Sequence, residues 1–190
     1  MGCTKCRLAA GRTQVVWMDG NPDSDLMFIG EAPGFHEDKQ GLPFVGAAGK
    51  LLDSMLEEIG LSRASCTICN VIKCRPPGNR DPLPDEIEAC NPYLEAQIHF
   101  IRPRVIVTLG NFATRFVLKK QISISRVRGQ RFEEFGAAVV PTFHPAAVLH
   151  GGGIGSKAME GLRQDFGLIR SILDEAPALE YSPSEQQALF

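Results

Sequence analysis

The sequence alternates short apolar runs with stretches of helical character, and this alternation constrains the fold more than any other feature. Residues 104–110 form the clearest run, which is continuous and rich in β-branched side chains, as is typical of a buried strand. Similar runs predict strands over 25–30, 66–72 and 137–143. Helices are predicted over 46–59, 84–101, 111–118 and 158–173. Pro92 should kink or interrupt the second of these helices.

Strands that alternate with helices predict an α/β fold with helices on both faces of a parallel sheet. The expected architecture is three α/β/α layers around a central, mainly parallel sheet of four strands. Ligands of such sheets bind beyond the carboxyl ends of the strands. Because a parallel order gathers those ends at one edge, we expect six residues from distant parts of the chain to be neighbours there: Gly30, Glu31, Asn70, Gly110, Asn111 and His144.

The overall charge gives no reason to expect a nucleic-acid partner, because the net charge is −2. The distribution of charge is more informative. Between residues 96 and 132 there is no Asp or Glu, and this stretch predicts either a local positive face or simply a solvated helix and loop. Its basic residues are Arg102, Arg104, Arg115, Lys119, Lys120, Arg126, Arg128 and Arg131.

Nothing in the sequence predicts a membrane-spanning or secretory segment. No apolar run approaches the ~20 residues of a membrane span, and the first thirty residues hold no signal-like apolar block. We therefore expect a cytoplasmic protein that does not contact a membrane. In that compartment cysteines stay reduced or bind metal instead of forming disulfides.

The cysteines include two C-x-x-C pairs, Cys3/Cys6 and Cys66/Cys69. A zinc site made from both pairs is the obvious interpretation. It conflicts with the predicted strand over 66–72, because side chains three positions apart in a strand point to opposite faces of the sheet. Cys69 is then better explained as a small core residue.

Two further cysteines, Cys74 just past that strand and Cys90 in the second predicted helix, can join Cys3 and Cys6 around one centre. Four thiolates suit either zinc or an iron–sulfur cluster, and the spacing alone does not choose between them.

Five fragments of the sequence, in this order, resemble one family, the family-four, iron–sulfur uracil-DNA glycosylases. The fragments are CTKCRL at 3–8, GEAPG at 30–34 followed by Glu37 and Asp38, GLPFVG at 41–46, NVIKCRPP at 70–77, and HP at 144–145. The resemblance runs from Cys3 to about residue 173. It implies a single catalytic domain over 1–173, and the acidic, polar residues 174–190 are expected to form a disordered tail. It also implies a monomer that carries a [4Fe–4S] cluster on Cys3, Cys6, Cys74 and Cys90.

The resemblance also implies how the substrate is bound. A glycosylase must take its base out of the helical stack and recognise it in a pocket. Phe44 would offer an aromatic face to the flipped uracil. Asn70 would pair with the uracil imide and reject cytosine, because its carboxamide has both a donor and an acceptor. The backbone of Gly30, Glu31 and Ala32 would contact the edge of the base.

The same resemblance assigns the catalytic residues. His144 would donate a hydrogen bond to uracil O2 as negative charge moves onto the base. The group that positions the attacking water stays open: Asn79, Glu31 or backbone groups are the candidates, because Ala32 stands where better-known uracil glycosylases have an aspartate. Leu149, beyond His144, could fill the vacated stack.

The sequence therefore predicts a monofunctional enzyme that hydrolyses the N-glycosidic bond of deoxyuridine in single- or double-stranded DNA. Two alternatives remain. One is a uracil-binding relative that becomes covalently trapped on DNA, which would need a reactive histidine between the third and fourth cysteines; residues 75–89 contain none. The other is a metal-stabilised nucleotide-binding module without catalysis.

Overall fold

A computed structural model describes residues 2–175. The strands, in chain order, are β1 (Asp19–Gly20), β2 (Leu26–Gly30), β3 (Thr67–Asn70), β4 (Val105–Leu109), β5 (Phe132–Glu134) and β6 (Ala137–Thr142). The helices are α1 (Phe35–Gln40), α2 (Ala47–Glu58), α3 (Pro84–Ile101), α4 (Gly110–Leu118), α5 (Ile124–Val127), α6 (Pro145–His150) and α7 (Lys157–Glu175). Short 3₁₀ turns span Arg7–Ala10, Arg63–Ser65, Pro77–Asn79 and Gly153–Gly155.

All six strands form one sheet in the order β1-β3-β2-β4-β6-β5. The inner four strands are parallel and the two outer strands are antiparallel to their neighbours. The predicted sheet of four strands is therefore wrong in its strand count. The two edge strands were missed because β1 has two residues and β5 carries two glutamates, so neither contains an apolar run.

Helices cover both faces of the sheet, which confirms the α/β class. On one face α2, α6 and α7 pack against the sheet, and Phe166 of α7 stacks on Phe28 of β2 at 5.7 Å between ring centroids. On the other face α3 and α4 contribute buried side chains such as Leu94 and Val117. Because strands β2, β3, β4 and β6 are buried on both faces, they read as continuous apolar runs in the sequence.

The helix α3 continues through Pro92, so the expected interruption is absent. Its first turn is well capped, since Glu86 accepts from the Leu83 amide at 2.9 Å and pairs with Arg80 at 2.6 Å. Its buried residues pack on the sheet further along the helix. These contacts outweigh the single backbone hydrogen bond that a proline removes.

Helix α7 runs to Glu175, two residues past its predicted end. The remainder of the predicted acidic tail, residues 176–190, lies outside the described residues. Among the residues described, no helix has the length and hydropathy needed to cross a membrane.

Acidic residues from elsewhere in the chain neutralise part of the basic stretch. Arg128 pairs with the buried Asp165 at 2.6 Å, and Arg104 contacts Asp25 at 3.1 Å. For these two arginines, the ion pairs favour a structural role over a DNA-binding face.

Candidate functional site

A cavity lies where β2, β3 and β6 end, as expected for a parallel sheet. Its volume is about 570 Å³. The side chains that matter for its chemistry are Glu31, Phe44, Asn70, Asn79, Asp81 and His144, and Ala32 also lines it. Gly110 lies beside His144, because a Cβ on Gly110 would stand 3.0 Å from the His144 Cβ. Asn111, by contrast, caps α5 by accepting from the Ile124 amide at 2.9 Å.

Phe44 is held in an unusual backbone conformation at the wall of this cavity. Its φ is +54°, in the left-handed region that non-glycine residues seldom adopt, and its side chain is buried. The Arg63 guanidinium donates to the carbonyl oxygens of Phe44 and Pro43. A Cβ on Gly49 would lie 1.7 Å from the Phe44 carbonyl oxygen, so α2 packs directly against this backbone. The Phe44 ring is therefore presented by a loop that cannot easily retreat.

Glu37 joins that loop to the GEAPG segment. Its Oε1 accepts from the amides of Val45 and Gly46 at 3.0 and 3.1 Å, and its Oε2 accepts from the Gly34 amide at 3.1 Å. One carboxylate thus aligns two segments of the cavity wall. We did not assign this role to Glu37 from the sequence, and neither did we single out Arg63. Glu37 stands three residues after Gly34 at the start of α1, which is the position of the glutamate half of a capping box, and that spacing could have found it.

Gly30 lies between Phe44 and Asn70. A Cβ at Gly30 would stand 2.4 Å from Asn70 Oδ1 and 2.6 Å from Phe44 Cζ. Only glycine lets the aromatic ring and the carboxamide approach the end of β2 this closely.

Asn70 is the last residue of β3 and pairs with Gly30 across the sheet. Its backbone carbonyl accepts from the buried Lys73 ammonium at 2.7 Å. Its side chain is 2% exposed, and within residues 2–175 its carboxamide has no hydrogen-bond partner. The carboxamide is not among the fully enclosed, unpartnered polar atoms of residues 2–175, so it opens onto the cavity and is not sealed in the core. This side chain is therefore available to a ligand in the cavity.

His144 is the N-cap of α6 and also lines the cavity. Its Nδ1 accepts from the Ala146 amide at 3.2 Å. Burial lowers the pKa of His144 to about 4, with a smaller opposing effect from the Glu37 charge. The imidazole is therefore neutral near pH 7, and because Nδ1 is an acceptor the proton is assigned to Nε2. The ring is offset-stacked on Phe44 with 5.6 Å between centroids and 28° between planes.

Two further polar residues lie at the cavity. Burial, helped by the nearby Asp81 charge, raises the pKa of Glu31 to about 7. Asn79 has a φ of +56°, and its Oδ1 accepts from Arg75 Nε at 2.6 Å. The structure brings both residues to the cavity, and Asp81 was not singled out from the sequence.

Leu149 lies in α6, one residue before His150, which lines the cavity. The Leu149 side chain is partly buried and packs against the core, whereas Ile154, in the following glycine-rich loop, is 69% exposed.

A second, apolar cavity of about 280 Å³ is lined by Cys3, Cys6, Cys74 and Cys90. None of these four forms a disulfide. Within residues 2–175, no group of three or more His, Cys, Asp or Glu side chains is placed to hold a metal ion.

The remaining two cysteines are buried on opposite faces of the sheet. Cys66 belongs to the core under α2 and α7, and Cys69 to the core under α3 and α4. Burial raises the pKa of the Cys66 thiol to about 12, so it behaves as an inert apolar group. The geometry therefore separates this C-x-x-C pair, as the predicted strand required.

Comparison with known proteins gives a consistent result. A model of the uracil DNA glycosylase superfamily matches residues 17–166. A type-4 uracil-DNA glycosylase from Sulfurisphaera tokodaii is 48% identical over 181 residues, which cover 90% of this chain and 80% of that protein. One from Saccharolobus solfataricus is 46% identical over 184 residues, covering 92% and 83%. One from Thermotoga maritima is 50% identical over 149 residues, covering 77% and 78%. The chain therefore belongs to the uracil DNA glycosylase superfamily.

Proposed function

We propose that this protein is a uracil-DNA glycosylase that hydrolyses the N-glycosidic bond of deoxyuridine in DNA, releasing uracil and leaving an abasic site for repair. The observation that carries the proposal is the Asn70 carboxamide, which lines the cavity beside Phe44 and makes no hydrogen bond within residues 2–175. Uracil offers a planar ring with an imide that alternates acceptor and donor. An aromatic face and a free carboxamide together match such a base.

His144 supplies the transition-state interaction in this proposal. As the glycosidic bond breaks, the electron pair moves onto the base and uracil O2 becomes negative. The neutral imidazole can donate from Nε2 because the Ala146 amide already occupies Nδ1. A donor that meets charge developing only in the transition state acts on the rate more than on ground-state binding.

Glu31 is the favoured group for activating the attacking water. A carboxyl with a pKa of about 7 is matched to accepting a proton near neutral pH. Asn79 can assist by donating from its Nδ2, since its Oδ1 is engaged by Arg75. The water oxygen then bonds to the sugar carbon, and its proton passes to the Glu31 carboxylate.

We further propose that Cys3, Cys6, Cys74 and Cys90 hold a [4Fe–4S] cluster. Four thiols that line one apolar cavity supply the complete set of thiolate ligands that a [4Fe–4S] cluster needs. Three hydrogen bonds are placed to stabilise charge on sulfur: Lys73 N to Cys90 at 3.3 Å, the Tyr93 hydroxyl to Cys3 at 3.4 Å, and Arg12 to Cys74 at 3.6 Å. The cluster would act structurally, by joining the amino-terminal segment to α3 and to the loop after β3.

Release of free uracil from a uracil-containing oligonucleotide tests the function directly. We expect release by the wild type and a strong loss in Asn70→Asp, because an acceptor-only carboxylate loses one imide contact and adds charge beside a base that becomes anionic. Asn21→Asp is the matched control. Asn21 Oδ1 only accepts from the Asp23 amide, at the opposite edge of the sheet, and a carboxylate can do the same.

Failure of the wild type to release uracil would refute the enzymatic proposal and favour a non-catalytic nucleotide-binding module. A covalent protein–DNA product would instead indicate the DNA-trapping class. A wild-type turnover rate in Asn70→Asp would mean that Asn70 has only a structural role at the end of β3.

A further inference from the structure

An exposed aromatic side chain, Phe35, lies immediately outside the cavity. It is the first residue of α1 and directly follows Gly34, which lines the cavity. Although α1 packs beside the site, 48% of the Phe35 surface is exposed. An aromatic face that is open to solvent beside a cavity is available to a ligand that extends out of that cavity.

Cationic groups surround this ring. The Arg75 guanidinium lies 5.1 Å from the ring centroid, and the Lys39 ammonium lies 5.7 Å from it. His36 contacts the ring edge-on at 5.4 Å between centroids. Neither Lys39 nor Arg75 forms an ion pair within the described part of the chain, residues 2–175. Both cations can therefore neutralise an anionic partner.

Both acidic residues of α1 accept hydrogen bonds from backbone amides, and the charge on Asp38 partly offsets that of Arg75. Glu37 accepts from Gly34, Val45 and Gly46, as described above. Asp38 is 3% exposed and accepts from the Thr13 amide at 2.8 Å. The helix thus turns its carboxylates inward and leaves an aromatic ring and a lysine four residues apart on its exposed side.

The surface formed by Phe35, Lys39 and Arg75 is continuous with the proposed uracil site. Arg75 donates to Asn79 and precedes Pro76, and both Asn79 and Pro76 line the cavity. A strand whose uracil occupies the cavity must pass its neighbouring nucleotides over the adjoining surface. Aromatic rings flanked by cations are the usual platforms for unpaired bases and their phosphates.

We propose that Phe35 is a stacking platform for an unpaired base next to the flipped uracil, with Lys39 and Arg75 contacting the adjacent phosphates. This inference rests on the proposed function and adds to it a preference for single-stranded over double-stranded DNA. A base in a duplex is already stacked on its neighbours, so the platform contributes to single-stranded substrates more than to double-stranded ones.

Single-turnover excision with enzyme in excess separates binding from chemistry. The half-saturating enzyme concentration reports affinity, and the plateau rate reports the chemical step. On a single-stranded substrate at one fixed salt concentration, we expect Phe35→Ala to raise the half-saturating concentration about tenfold or more, as removal of one base-stacking ring does elsewhere. Phe35→Tyr should retain wild-type affinity and Phe35→Leu should not. The rise should be smaller on the matched duplex.

Phe100→Ala is the control for removing an exposed phenylalanine. Phe100 is 72% exposed in the last turn of α3, which ends just before β4 begins and so lies at the edge of the sheet away from the cavity. Its affinity for both substrates should match the wild type.

Substrates that lack one base identify the stacked position. A series with a single abasic spacer at each position near the uracil should contain one member that weakens wild-type binding but leaves Phe35→Ala unaffected. Equal losses in both proteins across the whole series would overturn the inference, as would wild-type affinity in Phe35→Ala or in Phe35→Leu. If the wild type releases no uracil, the proposed function fails; if it releases uracil and Phe35→Ala binds normally, only the platform fails.

Discussion

The substitution Gly30→Ala tests whether the uracil site depends on the close approach of Phe44 and Asn70 to the end of β2. The added Cβ would lie 2.4 Å from Asn70 Oδ1 and 2.6 Å from Phe44 Cζ, whereas ordinary contact begins at 3.4 Å. The carboxamide must therefore retreat by about 1.0 Å and the ring by about 0.8 Å. Neither retreat is free, because Arg63 and α2 fix the Phe44 backbone and the sheet fixes Asn70.

The expected effect on activity is larger than the effect on folding. Overpacking by one methyl group typically costs about 1–3 kcal/mol, which in a domain of this size lowers Tm by about 2–4 °C per kcal/mol. A displacement of about 1 Å in groups that position a substrate can cost about 100-fold in rate. We therefore expect a folded protein whose single-turnover excision rate falls by about two orders of magnitude.

Gly167→Ala is the matched control, because Gly167 is exposed on α7 and a Cβ there meets nothing within 4 Å. It should keep the wild-type excision rate, with an unchanged or higher Tm, since alanine favours a helix interior over glycine. A wild-type excision rate in Gly30→Ala, with the Tm lowered as expected, would refute the reasoning: it would mean that the positions of Phe44 and Asn70 do not limit catalysis.

Three further predictions concern the catalytic groups and the cysteines. His144→Ala should lower single-turnover excision by about 100-fold or more and change the Kd for uncleaved DNA by less than about tenfold; a collapse of binding with an unchanged rate of the bound complex would make His144 a DNA-positioning residue. Excision should rise with pH through about 7 as Glu31 loses its proton, and Glu31→Gln should remove that rise; the same pH profile in both proteins would exclude Glu31 as the base. Changing Cys3, Cys6, Cys74 or Cys90 to Ser should abolish visible iron–sulfur absorption and lower Tm, whereas Cys66→Ser and Cys69→Ser should retain the absorption; the reverse pattern would overturn the ligand assignment.

Much of the fold follows from local sequence patterns. Strands β2, β3, β4 and β6 are buried on both faces, and their continuous apolar runs identify them without tertiary information. The strand prediction alone separated Cys66 from Cys69, which the structure places on opposite faces. Ligands of parallel sheets bind beyond the carboxyl ends of the strands, and this rule predicted that Gly30, Asn70 and His144 are neighbours although they are distant in the sequence.

The features that were missed depend on contacts between distant residues. The edge strand β5 is held by pairing with β6, and its two glutamates give no apolar signal. Arg63 reaches the carbonyl of Phe44 from nineteen positions away. A sequence pattern reports the preference of a segment for helix or strand, but it does not report which distant carbonyl a guanidinium will contact. The rigidity of the Phe44 loop therefore had to be read from the structure.

The protonation states in the cavity also depend on the folded structure and do not follow from a local sequence pattern. They explain how the site can work near pH 7. Burial disfavours the charged form of any group, so it moves acids and bases in opposite directions. It raises the pKa of Glu31 to about 7 and lowers the pKa of His144 to about 4. At neutral pH the histidine is therefore an uncharged donor, and the carboxyl is poised between its two forms. Residue identity alone would have given an ionised glutamate and a partly protonated histidine. One physical cause, the shared cavity, thus makes the histidine suited to donating to the base and the glutamate suited to taking the proton of water.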